Sequence, residues 1–219
     1  MRDHGKSDTQ KIRTGVYLGR LELRNVDLFW GFNILLFLWM SYFTYFERFI
    51  EYRGAGNLYE FYVYALLIII GLGAGWWFFR RFSIPSYILF LVQLGILIHF
   101  LGGMAILNGE RLYDSYILNI RFDKYVHFLN AFIAALITNF FFDKLNFQIP
   151  YFRHLILIMF VLGLGAVIEI IEYIVLLTIP GNGVGGYHNN MQDLVSNLMG
   201  CLSFIALLSL SNRLKRSRK

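Results

Sequence analysis

Six stretches of the chain are apolar for about the length of a bilayer crossing: residues 30–46, 61–79, 85–107, 125–142, 154–179 and 191–210. Each is near the ~20 residues that a helix needs to cross a ~30 Å hydrocarbon layer. The breaks between them are marked. Pro85 and Pro150 precede apolar runs, and Pro180 ends one; a proline in the first turn of a helix loses little, because its N–H would have no partner there anyway. Trp30, Trp76 and Trp77 stand near run ends, where interfacial aromatics belong. Gly71, Gly73, Gly75, Gly163 and Gly165 are places for close helix packing. Residues 16–30 mix apolar and charged positions. They are expected either to lie along the membrane surface or to form a solvated tail that turns helical near the bilayer. The pattern predicts an all-α integral membrane bundle of six transmembrane helices. It divides the chain into a basic tail (1–24), a six-span domain (25–211) and a second basic tail (212–219).

Composition agrees. The chain is 57% hydrophobic and 16% charged, against about 25% charged in a soluble domain. Its net charge of +6 is not spread over a face that could bind nucleic acid; it gathers at run ends and tails. Numbering the polar segments alternately puts five of the twenty Lys and Arg on one side (Arg48, Arg53, Arg111, Arg121 and Lys124) and fifteen on the other. The positive-inside rule then predicts that both termini are cytoplasmic and that the protein is a multi-pass component of the cell (inner) membrane. The segment 179–192 has no Lys or Arg, as expected outside. The polar N-terminus carries no signal-peptide pattern. The single cysteine, Cys201, excludes an internal disulfide framework and a Cys-rich zinc site.

Polar residues inside the apolar runs change the picture from a generic bundle to a candidate site. Glu169 and Glu172 lie in the fifth run, and such groups cost ~2.5–3.5 kcal/mol each on insertion scales. Their i,i+3 spacing puts them on one face. Asp123 and His127 are i,i+4 at the start of the fourth run, with His127 roughly 6 Å deeper by helix rise. Asp193 and Asn197 are i,i+4 at the start of the sixth. With the predicted orientation, all three pairs fall at similar depth in the outer leaflet.

Two chemistries suit this set. Asp123, His127, Glu169 and Glu172, with His188 from the loop, are candidate ligands for a divalent metal ion that activates water. Alternatively, two close carboxylates compete for charge, so that one keeps a proton and donates it. Asp123, His127, Glu169, Glu172 and Asp193 are the candidate catalytic residues. Arg111, Arg121 and Lys124 could hold an anionic headgroup, with Asn190 and Asn197 completing the substrate-binding set. The Gly-rich turn 181–186 has the freedom of a lid. Structural readings stand beside these. The glutamates could pair with Arg121 or Lys124 and fix helix packing. His127 could pack, His188 could be an idle loop residue, Asn190 or Asp193 could cap a helix, and Asn197 could be interhelical glue. His99 could join the cluster or only pack, and packing is expected; His4 and His154 fall on the cytoplasmic side.

No H-E-x-x-H helix, nucleophile elbow, P-loop or dinucleotide glycine motif is present, and neither nucleotide nor haem is expected. No Ser or Cys stands beside a His as an evident nucleophile. Three functions remain. The first is a metal-assisted hydrolase or transferase acting on a lipid or cell-envelope precursor. The second is a transporter or proton-coupled carrier, weakened by inner halves nearly free of ionisable groups. The third is a non-catalytic scaffold. Membrane lipids are the expected partners in each.

The stretch RFDKYVHFLNAF (121–132) resembles the D-K-x-x-H-F opening of VanZ-like membrane proteins and of YjdF-type inner-membrane proteins. EIIEY (169–173) and NNMQDLVSNLMG (189–200) resemble the same families in the same order, so the likeness covers about 120–205. It implies that Asp123, Lys124, His127, Glu169, Glu172, Asp193 and Asn197 are family polar positions, in a protein of the cell envelope. VanZ-like proteins are associated with glycopeptide resistance. A second glutamate where that pattern often has Gln, and a glycine-rich loop without its usual Arg, make the YjdF-type comparison the closer one.

Overall fold

The computed structural model describes residues 16–18, 21–149, 151–178 and 186–217. The expectations for the tail 1–15, Pro150, Pro180 and the glycine turn 181–185 fall outside these residues. Among the described residues, six helices are long and apolar enough to cross a membrane, as the six runs predict. The chain divides into two units, residues 1–89 and 90–219.

In the first unit, β1 (Val16–Leu18) and β2 (Leu21–Leu23) pair antiparallel, Val16 opposite Leu23. A short hairpin thus opens the segment 16–30. Helix α1 (Asn25–Met40) starts inside that segment and continues through a π turn at Ser41–Tyr45 into α2 (Phe46–Arg53). Gly54, at φ +80°, ends it; only glycine takes that conformation freely. α3 (Leu58–Phe79) returns. Near its end, Asp27 accepts hydrogen bonds from the Trp76 indole and from Arg80 Nε, both at 2.8 Å. Trp30 stacks on Phe79, and a Cβ on Gly75 would stand 2.6 Å from the Trp30 ring. Gly75 is thus a packing glycine. Gly71 and Gly73 have nothing within 4 Å of a Cβ and do not serve the close approach expected of them. Asn25 donates to the Ser86 hydroxyl at the start of α4 (Ser86–Met104), which runs on into the second unit.

The third apolar run ends earlier than its composition suggests. α4 stops at Met104, and Ile106 and Leu107 enter a hairpin of β3 (Ile106–Leu107) and β4 (Glu110–Arg111). Asn108 and Gly109 both have positive φ in its turn, the Asn-Gly preference of tight hairpins. A 3-10 turn (Leu112–Asp114) and a second hairpin of β5 (Tyr116–Ile117) and β6 (Ile120–Arg121) follow. Helices α5 (Phe122–Lys144), α6 (Arg153–Thr178) and α7 (Tyr187–Ser217) complete the unit. Their buried core is Ala131, Ala135, Leu157, Val161, Cys201 and Phe204. Small residues let α5 and α7 approach so closely that a Cβ on Gly200 would run into the Phe128 carbonyl. A Cβ on Gly165 would meet the Asn197 amide at 2.6 Å, whereas Gly163 is open.

Candidate functional site

The site grows from the start of α5. Arg121, extended in β6, precedes the helix, and Asp123 occupies its first turn, where the helix dipole favours a carboxylate. Lys124 and His127 follow one turn apart. On α7, Asn189, Asp193 and Asn197 recur every four residues and so share a face. Lys124 is the hub between the two helices. Its Nζ donates to Asp193 Oδ1 at 2.6 Å, to Asn189 Oδ1 at 2.8 Å and to the Asn189 carbonyl at 3.2 Å. It also lies 3.2 Å from Asp123 Oδ2. The Asn189 amide donates to Asp193 Oδ2 at 2.7 Å. Arg121 donates to Asn189 Oδ1 at 2.9 Å and to Asp114 Oδ1 at 3.0 Å, and stands 3.3 Å from Asp123. Arg111 donates to the other Asp114 oxygen at 2.8 Å. Asp193 is only 1% exposed. A charge buried that deeply is tolerable when it is paired and its remaining lone pairs are bonded, as they are here.

His127 and Glu169 stand beside this network without being absorbed by it. His127 Nε2 lies 3.4 Å from Asp193 Oδ1, and Nδ1 lies 3.8 Å from Glu169 Oε1, too far for a hydrogen bond. Glu169 Oε1 is buried with no hydrogen-bond partner; Asp123 Oδ1 and Arg121 Nε are in the same condition. A buried polar atom left unpaired costs about 1–3 kcal/mol, so this arrangement calls for an explanation. Glu172 lines a cavity of about 450 Å³, as do His127, Asp123, Asp193, Asn197, Arg111 and Arg121. His99 and Tyr113 close another part of its wall, the phenol 2.5 Å from His99 Nδ1.

The structure therefore unites Asp123, Lys124, His127, Glu169, Asp193 and Arg121, and sets Glu172, Arg111 and Asn197 on the same cavity. It does not bring in His188, which is exposed and 3.0 Å from Gln192. Nor does it bring in Asn190, which is not among the cavity-lining residues. The glutamates do not form the expected pairs with Arg121 and Lys124; aspartates take those cations. His99 lines the cavity, the alternative to the packing expected of it. Asn189, Asp114 and Tyr113 are site residues that the sequence reading did not single out. Asn189 had a signal, because it stands four residues before Asp193. Asp114 and Tyr113 depend on the Asn108–Gly109 turn, which folds that segment back toward α5.

For a cation, the compatible set is His127, Glu169 and Asp193, each offering one atom within 4.8 Å of the others. Both Asp193 oxygens are already bonded, to Lys124 and Asn189, whereas Glu169 Oε1 is free of hydrogen bonds. A cation held here would share Asp193 with the Lys124 ammonium. Asp114, Asp123, Glu169, Glu172 and Asp193 outnumber Arg111, Arg121 and Lys124, and that imbalance favours a further cation.

No curated protein and no solved structure matches the chain. One family model does, that of "Predicted membrane protein (DUF2238)", and it extends over residues 27–214, through both units and the whole polar site. The chain, a polytopic membrane protein, belongs to that family.

Proposed function

We propose that the protein is a membrane-embedded hydrolase or transferase acting on a lipid or cell-envelope precursor. One observation carries the reading: after Lys124 and Arg121 have been paired by aspartates, Glu169 keeps a buried carboxylate oxygen with no hydrogen bond, beside His127, which lines the cavity. A purely structural network has no use for such an atom, which adds cost and no stability. Lys124, Asp193, Asn189 and Asp123 form a lock between α5 and α7. His127, Glu169 and Glu172 are the working groups. His127 takes a proton from water or a substrate hydroxyl, Glu169 stabilises the imidazolium so formed, and Glu172 exchanges a proton with the reacting group in the cavity. Arg111 and Arg121 hold the anionic part of the substrate. A divalent ion on His127, Glu169 and Asp193 would supply Lewis acidity and a more acidic bound water.

The positive-inside count supports a site in the outer half of an inner membrane, with cytoplasmic termini. The resemblance to VanZ-like and YjdF-type proteins adds the cell envelope as the setting. A carrier needs a polar path to the other side, and the buried core below the site, Ala131, Ala135, Leu157, Val161, Cys201 and Phe204, is apolar.

The test is genetic and biophysical together. Glu169→Gln and His127→Ala should each abolish the function conferred by the wild-type gene while the purified variants still unfold cooperatively. Retained function in both variants would remove the enzymic reading. Elemental analysis of wild type and Glu169→Gln addresses the ion separately: stoichiometric metal lost in the variant supports it, and a metal-free wild type excludes it.

A further inference from the structure

The two hairpins between α4 and α5 are built alike. Each closes at its base by a backbone hydrogen bond, from the Leu112 N–H to the Ala105 carbonyl at 2.8 Å and from the Phe122 N–H to the Ser115 carbonyl at 2.9 Å. Each turns through two residues with positive φ, Asn108 and Gly109 in the first, Leu118 and Asn119 in the second. Each ends on an arginine, and Arg111 and Arg121 take opposite oxygens of Asp114. The difference lies at the tips. The first carries Asn108, Gly109 and Glu110; the second carries Leu118, Asn119 and Ile120. A two-residue turn of this kind favours Asn-Gly, as in the first hairpin. Leucine is poor there, because in left-handed backbone its Cβ crowds the following carbonyl oxygen. Leu118 nonetheless stands at that position, at φ +51° and 87% exposed. Tyr116, Ile117 and Ile120 beside it are 69%, 41% and 48% exposed, and no residue from Ser115 to Ile120 is charged. Neither turn geometry nor contact with water selects such a tip.

The level of the tip follows from its ties to α5. Tyr125, in the first turn of that spanning helix, donates its hydroxyl to the Ile117 carbonyl at 2.9 Å. Leu118 is four residues before Phe122, so strand rise keeps it within about 14 Å of the start of the helix. The apolar surface does not stop at the helix ends either. Leu97, Leu101 and Met104 are exposed along one face of α4, and exposed Ile106 continues them into the first hairpin. In a spanning helix such a face meets lipid.

We infer that the tip of the second hairpin is a membrane anchor, with Ile117, Leu118 and Ile120 seated among the lipids of the leaflet at which α4 ends and α5 begins. Lipid is the occupant because the tip is tied to the start of a spanning helix, is apolar and uncharged, and belongs to a segment that prolongs a lipid-facing surface. Tyr116 at its flank is a residue type that membrane–water interfaces favour. The inference needs only that α4 and α5 span the membrane, so it stands apart from the hydrolase reading. Its consequence reaches the cavity all the same. Arg121, opposite Tyr116 in the same hairpin, lines the cavity with Arg111 and Asp114. A seated tip holds that part of the lining at the level of the headgroups.

Nitroxide labelling of the full chain, reconstituted in vesicles of phosphatidylcholine and phosphatidylglycerol, tests it. Cys201 is buried, so the label attaches at a cysteine introduced by Leu118→Cys or, in a second protein, by Ile120→Cys. Power saturation compares collision with oxygen, which concentrates in lipid, and with a water-soluble nickel chelate. Oxygen should dominate at both positions. At Asn108→Cys, on the polar tip of the other hairpin, the order should reverse. Dominance of the chelate at residues 118 and 120 would put the tip in water and overturn the inference. A label shielded from both reagents would overturn it too, because a protein would then cover the tip; dipolar broadening would identify that protein as a second copy of the chain. Both residues are exposed, so neither substitution opens the core, and Ile120→Cys decides if Leu118→Cys fails to fold.

Discussion

Asn189 and His188 are neighbours in sequence and opposites in role. Asn189 bonds Lys124, Arg121 and Asp193; His188 is exposed beside Gln192. Asn189→Ala should therefore lower unfolding stability by about 1–3 kcal/mol, since it strips partners from buried charges, and His188→Ala by less than about 0.5 kcal/mol. Denaturant titration in detergent, followed by far-ultraviolet circular dichroism, checks both. The Asp123–His127 and Asp193–Asn197 pairs were legible in the sequence because i,i+4 spacing survives any shift of helix ends. Asn189 carried the same signal, four residues before Asp193, but Asn190 was read in its place.

At the scale of elements, close packing of α5 on α7 sets the geometry that Lys124 bridges. Gly200→Ala should cost about 1–3 kcal/mol, because its Cβ meets backbone that cannot move without separating the helices. Gly71→Ala should be tolerated within about 1 kcal/mol, since its Cβ meets nothing. Comparing the thermal midpoints of the two variants tests the assignment. Gly71, Gly73, Gly75, Gly163 and Gly165 looked alike in sequence; only their partners, Trp30 for Gly75 and Asn197 for Gly165, separate them. The same blindness affected the end of the third run. Ile106 and Leu107 are as apolar as the helix before them, and hydropathy does not register the Asn108–Gly109 turn that takes them into a hairpin.

At the scale of the molecule, the six apolar runs were legible because bilayer thickness imposes a length that composition alone reveals. α3 shows why burial statistics for soluble proteins do not transfer: it has no buried residue, as suits a helix facing lipid. Orientation is argued from Lys and Arg and has its own check. Cys201 is buried, so a cysteine introduced at exposed Gly186 gives a clean signal. In intact cells it should react with an impermeant maleimide. Labelling only after lysis would invert the topology.

The proposed function requires a divided polar layer, with Lys124 locking the helices and Glu169 held free for chemistry. Unfolding stability of two single variants measures that division without knowledge of a substrate. Lys124→Met leaves Asp193 buried and without its ammonium partner and should cost about 3–5 kcal/mol. Glu169→Gln removes a buried charge that has no hydrogen bond at Oε1 and should leave stability equal to the wild type or higher. A Glu169→Gln protein as destabilised as Lys124→Met would contradict the account and make the glutamate part of the lock.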